Sequence, residues 1–142
     1  MTDAWRVLSL HHVAIAHGED PTCGEFFASL LGAPDHTERG PGFIEEMYPA
    51  GEAFVQTLEA EGDGVVQRFL ERRGPGLHHV AFRVDTIDGA LRDLRDRGVP
   101  LIDEAPRPGG MGTRIAFLHP TAAGGVLVEL VEQPGGGERT DG

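Results

Sequence analysis

The chain has 142 residues, of which 39% are hydrophobic, and its formal net charge is −11. This composition suits one compact domain or two fused small modules and excludes wholesale disorder. The negative charge argues against nucleic acid or an anionic membrane as a partner, because both are polyanions. No apolar run approaches the roughly 20 residues of a membrane helix, and we expect no secretory signal. The single cysteine, Cys23, predicts a cytoplasmic protein without internal disulfides.

The first half of the chain predicts a strand, a helix and two further strands. The opening strand carries LHHVA at 10–14, and a helix with four apolar residues at helical spacing follows and ends at Gly32. Strand-like runs occupy 43–48 and 53–59, with a turn between them. The segment VVQRFLERRG at 65–74 then predicts an amphipathic helix, which we interpret as a linker spanning 63–75.

The second half predicts the same order of elements. LHHVA recurs letter for letter at 77–81, and a helix that carries Ile87, Ala90, Leu91 and Leu94 ends near Gly98. Strand-like runs follow at 114–119 and 125–132. The Gly-rich polar segment at 134–142 predicts a disordered tail.

These parallels indicate an internal duplication. A second, weaker pair of strings, VQTLE at 55–59 and VELVE at 128–132, lies 73 residues apart, whereas the two LHHVA strings lie 67 apart. An insertion of six residues in the later copy reconciles the two offsets. We therefore predict an α+β fold of two tandem βαβββ modules, 1–62 and 76–133, in which the second strand of each module is the least clear.

The duplication places one histidine doublet and one oxygen-bearing side chain in each copy. Gln56 and Glu129 occupy matching points on the last strands, and the doublets are His11–His12 and His78–His79. A lone strand histidine is usually a packing group, but the same doublet at the same register in both copies favours a metal site. Alternation along a strand lets only one histidine of each doublet face the site, and it does not choose between them.

Two imidazoles, an amide oxygen and a carboxylate suit a borderline divalent ion such as Co²⁺, Mn²⁺, Ni²⁺, Fe²⁺ or Zn²⁺. The absence of sulfur ligands argues against a structural zinc. Four protein ligands on an octahedral ion leave two positions open, which is typical of a catalytic site.

The chain also carries two longer motifs, GPGLHHVAFRVD at 74–85 and VPLIDEAPRPGGMGTRIAFLHP at 99–120. These motifs resemble the methylmalonyl-CoA epimerase family of the vicinal-oxygen-chelate superfamily, which also includes glyoxalase I. The resemblance covers about residues 8–132. It implies paired modules that form a cupped mixed sheet around the metal, and a homodimer. The family uses the second histidine of each doublet, so the implied metal ligands are His12, Gln56, His79 and Glu129.

The resemblance also implies a reaction and its residues. The substrate would be a 2-substituted malonyl-CoA, epimerised by removal of its α-proton through a metal-stabilised enolate. The family carries a glutamate three residues after a glycine, and Gly42 places Glu45 at that position as the general base. Glu46 has the opposite strand parity and should point away. The second acid or base is either Glu129 or a metal-bound water.

The chain departs from the family at two places. The segment LEAEGDGVV at 58–66 replaces a polar, proline-bearing segment, and Thr121 stands where relatives often carry Lys. These changes leave the acyl group open. Alternative functions are a glyoxalase-like isomerase, another enzyme of this superfamily in a biosynthetic pathway, and an Fe²⁺ oxygenase. Gln56 argues against the oxygenase, because an oxygenase needs more open positions on its iron than a fourth protein ligand leaves. A non-catalytic resistance-type binding protein is a further alternative, although such proteins usually lack a full ligand set.

Overall fold

A computed structural model describes residues 4–135 of the chain, so the predicted tail lies, from residue 136 onward, outside the described residues. The chain divides into two compact units, His12–His79 and Met1–His11 with Val80–Gly142. The module boundaries predicted from the repeat stay a prediction. No helix within residues 4–135 is long and apolar enough to cross a membrane.

The unit His12–His79 contains a sheet with the strand order β2-β3-β4-β1. Strand β1 runs parallel to β4, whereas β3 is antiparallel to both β4 and β2. The elements are β1 (Val7–His17), α1 (Thr22–Leu31), β2 (His36–Gly40), β3 (Phe43–Ala50), β4 (Ala53–Ala60) and α2 (Val65–Arg73).

The turn between β2 and β3 requires glycine. Gly42 has a φ of 84°, and a Cβ at this position would lie 2.5 Å from the carbonyl oxygen of Asp63. A side chain there would both strain the backbone and displace its neighbour. Gly42 therefore fixes the register in which Glu38 lies opposite Glu45 on the neighbouring strand.

The two faces of this sheet are covered by different helices. On one face Phe27 of α1 lies 6.3 Å from the ring of Tyr48. On the other face Val66 and Phe69 of α2 are buried with Ala14 and Leu58. Burying side chains of this size stabilises the fold by about 1.5–3 kcal/mol each. Successive side chains of β1, β3 and β4 therefore lie on opposite faces of the sheet, one covered by α1 and the other by α2.

The unit Met1–His11 with Val80–Gly142 contains a second sheet portion with the order β5-β8-β7-β6. Helix α3 covers one face, where Ile87, Ala90 and Leu91 pack into a buried apolar cluster. The amide of Ile87 at the start of α3 donates to the carboxylate of Glu132 at 2.8 Å. The elements are β5 (Gly76–Val84), α3 (Ile87–Asp96), β6 (Arg107–Pro108), β7 (Arg114–Leu118) and β8 (Val128–Glu132).

The backbone pairing confirms the duplication. In the first copy Gln56 lies opposite Ala14, and in the second copy Glu129 lies opposite Ala81. Each alanine follows the second histidine of its doublet by two residues. The predicted α+β class is confirmed, and each copy has the strand order of the other. The predicted run at 125–132 was too long, because β8 begins at Val128, after Gly124 and Gly125 with positive φ values.

Candidate active site

The two histidines that the family resemblance selects are buried and adjacent. His12 on β1 is 4% exposed and His79 on β5 is 5% exposed. Their Nε2 atoms lie 3.1 Å apart, and the two rings meet edge to face at 75°. Both residues belong to the unit His12–His79, so this pair is a feature of a single compact unit.

The separation of the two nitrogens fits a shared metal ion. Imidazole nitrogens lie about 2.1 Å from a divalent ion, so two in adjacent octahedral positions are about 3.0 Å apart. An N–H···N hydrogen bond between the rings has a similar length. A second observation is therefore needed to favour a metal.

Gln56 on β4 supplies that observation. Its side chain is 7% exposed, and its Oε1 has no hydrogen-bond partner within the described residues 4–135. Leaving a buried carbonyl oxygen without a partner costs about 1–3 kcal/mol. The register places Gln56 opposite Ala14, on the same face as His12. An ion ligated by the histidines would satisfy this oxygen, so the residues present fit a metal.

Glu129 lies in the other unit, at the position that the repeat makes equivalent to Gln56. It is 5% exposed on β8, between Val128 and Leu130. A buried carboxylate requires a counter-charge or hydrogen-bond donors to offset its desolvation. The burial therefore agrees with a role for Glu129 that involves a cation.

Glu45 and Glu46 lie on opposite faces of β3, as strand parity predicts. Glu45 is two residues from Met47, which lies opposite Gln56, so Glu45 shares the face of Gln56. The Oε1 of Glu46 accepts a hydrogen bond from the hydroxyl of Tyr48 at 2.8 Å on the α1 side. Of the two glutamates, only Glu45 lies on the face of the candidate ligands.

Comparison with known proteins identifies the family. The Glyoxalase/Bleomycin resistance protein/Dioxygenase superfamily matches residues 11–117. The mitochondrial methylmalonyl-CoA epimerase of Bos taurus is 32% identical over 89% of this chain and 75% of that protein. The chain belongs to the methylmalonyl-CoA epimerase family. The crystal structure of methylmalonyl-CoA epimerase from Mycobacterium tuberculosis, at 36% identity, matches 94% of this chain and 93% of that chain with a TM-score of 0.83.

A third relative was solved with a ligand. The Streptomyces coelicolor methylmalonyl-CoA epimerase in complex with 2-nitronate-propionyl-CoA is 33% identical over 94% of this chain and all of that chain, with a TM-score of 0.85. The similarity confirms the glyoxalase-like fold. It also shows that the chain is an enzyme of the epimerase type, which sets aside the non-catalytic alternative.

Within this epimerase family fold, the first histidine of the second doublet contacts the second. The Nδ1 atoms of His78 and His79 lie 2.8 Å apart, and the His78 ring packs on Phe69 at 4.9 Å between centroids. A histidine whose second nitrogen is held by a neighbour keeps one tautomer and one ring orientation. Strand alternation alone missed this contact, because it assigns the two side chains to opposite faces.

Sequence reasoning also missed His36, because the polar run HTERG of β2 has no apolar alternation. The Nε2 of His36 lies 2.8 Å from Glu38 Oε1 and 3.9 Å from Glu45 Oε2. The only signal in the sequence was the spacing of His36 and Glu38, which places both on one face of a strand.

Three further polar groups lie outside the candidate site. Burial and the hydrogen bond to Glu46 raise the pKa of Tyr48 to about 12, so its hydroxyl stays protonated at neutral pH. Burial raises the pKa of the Cys23 thiol, which makes it a poor nucleophile. His119 Nδ1 accepts a hydrogen bond from the Thr121 amide at 3.2 Å, so this histidine caps the turn that begins at Pro120.

Proposed function

We propose that the enzyme epimerises carbon 2 of a 2-substituted malonyl-CoA of the methylmalonyl type. The observation that carries this proposal is the pair of buried imidazole nitrogens 3.1 Å apart. On the same face lies Gln56 Oε1, which has no hydrogen-bond partner among residues 4–135. The names of the relatives support the reaction. The nitronate ligand of the Streptomyces coelicolor relative supports an anionic intermediate, since a nitronate carries its charge as an enolate does.

We further propose that His12, Gln56, His79 and Glu129 hold one divalent ion. For the first three residues, burial and geometry within one unit support the assignment. For Glu129 the support is the repeat, because Glu129 stands opposite Ala81 as Gln56 stands opposite Ala14. When bound, such an ion supplies a Lewis acid for the thioester and carboxylate oxygens of the substrate.

Glu45 is our candidate for the group that removes the α-proton. Its side chain is 12% exposed, so little water competes for its carboxylate. The C2–H bond breaks, its electron pair moves toward the thioester carbonyl, and the proton passes to Glu45. A second group, either Glu129 or a water, then delivers a proton to the opposite face of C2. Inversion follows because removal and return take place on different faces.

The test uses one C2 epimer of methylmalonyl-CoA in D₂O with purified enzyme. We expect interconversion of the epimers with deuterium incorporated at C2, loss of both after dialysis against a chelator, and recovery with Co²⁺ or Mn²⁺. Ethylmalonyl-CoA under the same conditions addresses the acyl group, which the changes at 58–66 and Thr121 leave open. Full metal loading without C2 exchange for either substrate would contradict the proposed reaction.

We also propose that the enzyme works in the cytoplasm as a homodimer. The single cysteine supports a reducing compartment. Val7, Leu8 and Leu10 of β1 are 48%, 38% and 41% exposed, which leaves an apolar stretch suited to a second copy. Light scattering should give twice the chain mass of 15.2 kDa, and a monomer at micromolar concentration would contradict the dimer.

A further inference from the structure

Three side chains on one face of the β2–β3 hairpin form a path from the candidate base toward solvent. The exposed fraction rises along it, from 12% at Glu45 to 28% at His36 and 46% at Glu38. His36 Nε2 lies between the two carboxylates, 3.9 Å from Glu45 Oε2 and 2.8 Å from Glu38 Oε1. The three groups are thus ordered by both contact and exposure.

The placement of the two carboxylates is unfavourable by itself. Glu38 lies directly opposite Glu45 on the neighbouring antiparallel strand. Like charges at directly opposed positions destabilise a sheet. The guanidinium of Arg39, next in sequence, does not relieve the repulsion, because it pairs with Glu61 at 2.7 Å. His36 Nε2 lies between the two carboxylates, so the hairpin places a group that can carry a proton where the like charges face each other.

We propose that His36 and Glu38 form a proton relay that returns Glu45 to its carboxylate form after each proton abstraction. This inference rests on the proposed function, in which Glu45 holds the substrate proton at the end of each turnover in that direction. The Glu45 side chain is 12% exposed, so few water molecules reach it and a neighbouring acceptor gives its proton a route to solvent. His36 touches no reacting atom and acts through Glu45.

The relay conserves protons at each step. The N–H of His36 Nε2 passes its proton to Glu38 Oε1, 2.8 Å away. In the same step the Glu45 carboxyl group, 3.9 Å away, turns toward Nε2 and replaces that proton with its own, which leaves Glu45 as a carboxylate and His36 as it began. Glu38 is the most exposed of the three and releases the proton to water. No oxidant, reductant or further reactant is needed.

The test compares His36→Gln and Glu38→Gln with Thr37→Ala as a matched control. Thr37 lies between the two relay residues on β2, is exposed, and points to the opposite face. We expect His36→Gln to leave the first turnover, measured by rapid quench, at the wild-type rate. The steady-state kcat should fall about tenfold, less than the 10²-fold or more that follows loss of a direct acid or base. Glu38→Gln should show a smaller loss, and Thr37→Ala none.

Chemical rescue separates a relay from a structural role. Raising the concentration of imidazole buffer at constant pH and ionic strength should restore kcat in His36→Gln and leave wild type unchanged. Thermal unfolding of each variant verifies that it folds. A kcat loss that buffer does not restore, or that also slows the first turnover, would overturn the relay, as would unchanged kcat in His36→Gln.

Three outcomes separate the relay from the proposed function and from a cation site. If wild type catalyses no C2 exchange, the proposed function fails and the relay fails with it. If wild type exchanges normally while His36→Gln matches it in every buffer, the relay alone fails. A second equivalent of Co²⁺ bound by wild type and lost in His36→Gln would also overturn the relay, because the three side chains would then be a cation site.

Discussion

Replacing Gln56 with leucine should change stability in opposite directions with and without metal. Leucine has a similar volume and no polar atom, so Gln56→Leu removes the buried Oε1 that has no partner within residues 4–135. In metal-free protein this removal should be neutral or stabilising, because an unsatisfied buried oxygen costs about 1–3 kcal/mol. In metal-loaded protein the same change removes a proposed ligand.

The expected magnitudes follow from those two effects. A gain of about 1 kcal/mol in a chain of this length raises the Tm of the metal-free protein by about 3 °C. A loss of 10- to 100-fold in metal affinity corresponds to about 1.4–2.8 kcal/mol, and it lowers the stabilisation that the ion provides by that amount under saturating conditions. The variant should therefore be the more stable protein without metal, and should gain less than wild type from added metal.

The assay is thermal unfolding of wild type and variant over a Co²⁺ titration, with affinities from calorimetry. Gln67→Leu is the matched control, because Gln67 lies on α2, where its side-chain amide donates a hydrogen bond to the exposed Glu71 at 3.2 Å. It should leave the metal affinity unchanged. If Gln56→Leu binds Co²⁺ as wild type does, Gln56 is not a ligand and the fit of the site to a metal is wrong.

Three further predictions test other residues. His79→Ala should lose the ion on dialysis, whereas His119→Ala should retain it; metal analysis of both measures this, and full occupancy in His79→Ala would show that the wrong histidine was chosen. Glu45→Gln should keep its metal and lose C2 deuterium exchange by at least about 10²-fold, and an unchanged exchange rate would remove Glu45 from the mechanism. The pKa of Tyr48, raised to about 12, predicts that its contribution to stability is complete below pH 10 and is lost as pH rises from about 10 to about 12. In Tyr48→Phe the free energy of unfolding should depend less on pH in that range. A pH dependence equal to that of wild type would contradict this contribution of Tyr48.

The duplicated strands were predictable because they repeat a chemical signature. The same LHHVA string at both first strands, with Gln56 and Glu129 at matching points on the last strands, is enough to predict that the two copies are equivalent. The structure then shows the equivalent pairs Ala14–Gln56 and Ala81–Glu129. The separation of Glu45 from Glu46 was also predictable, since it follows from strand parity. The roles of these residues and the module boundaries stay predictions.

What the sequence could not predict lies mainly on edge strands. Strand β2 is polar, because an edge strand next to solvent needs no apolar face, so HTERG has no apolar alternation that would predict a strand. The equivalent strand of the second copy has only two residues, Arg107 and Pro108, and proline removes a backbone donor there. The contact of His78 with His79 depends on ring orientation, which periodicity does not describe.

The proposed function depends on His12 and His79 ligating one ion through the nitrogens that lie 3.1 Å apart. The X-ray absorption spectrum of the Co²⁺-loaded wild type measures this ligation. We expect only nitrogen and oxygen ligands, with multiple scattering from two imidazoles. A spectrum with no imidazole scattering, or no stoichiometric Co²⁺ binding, would contradict it.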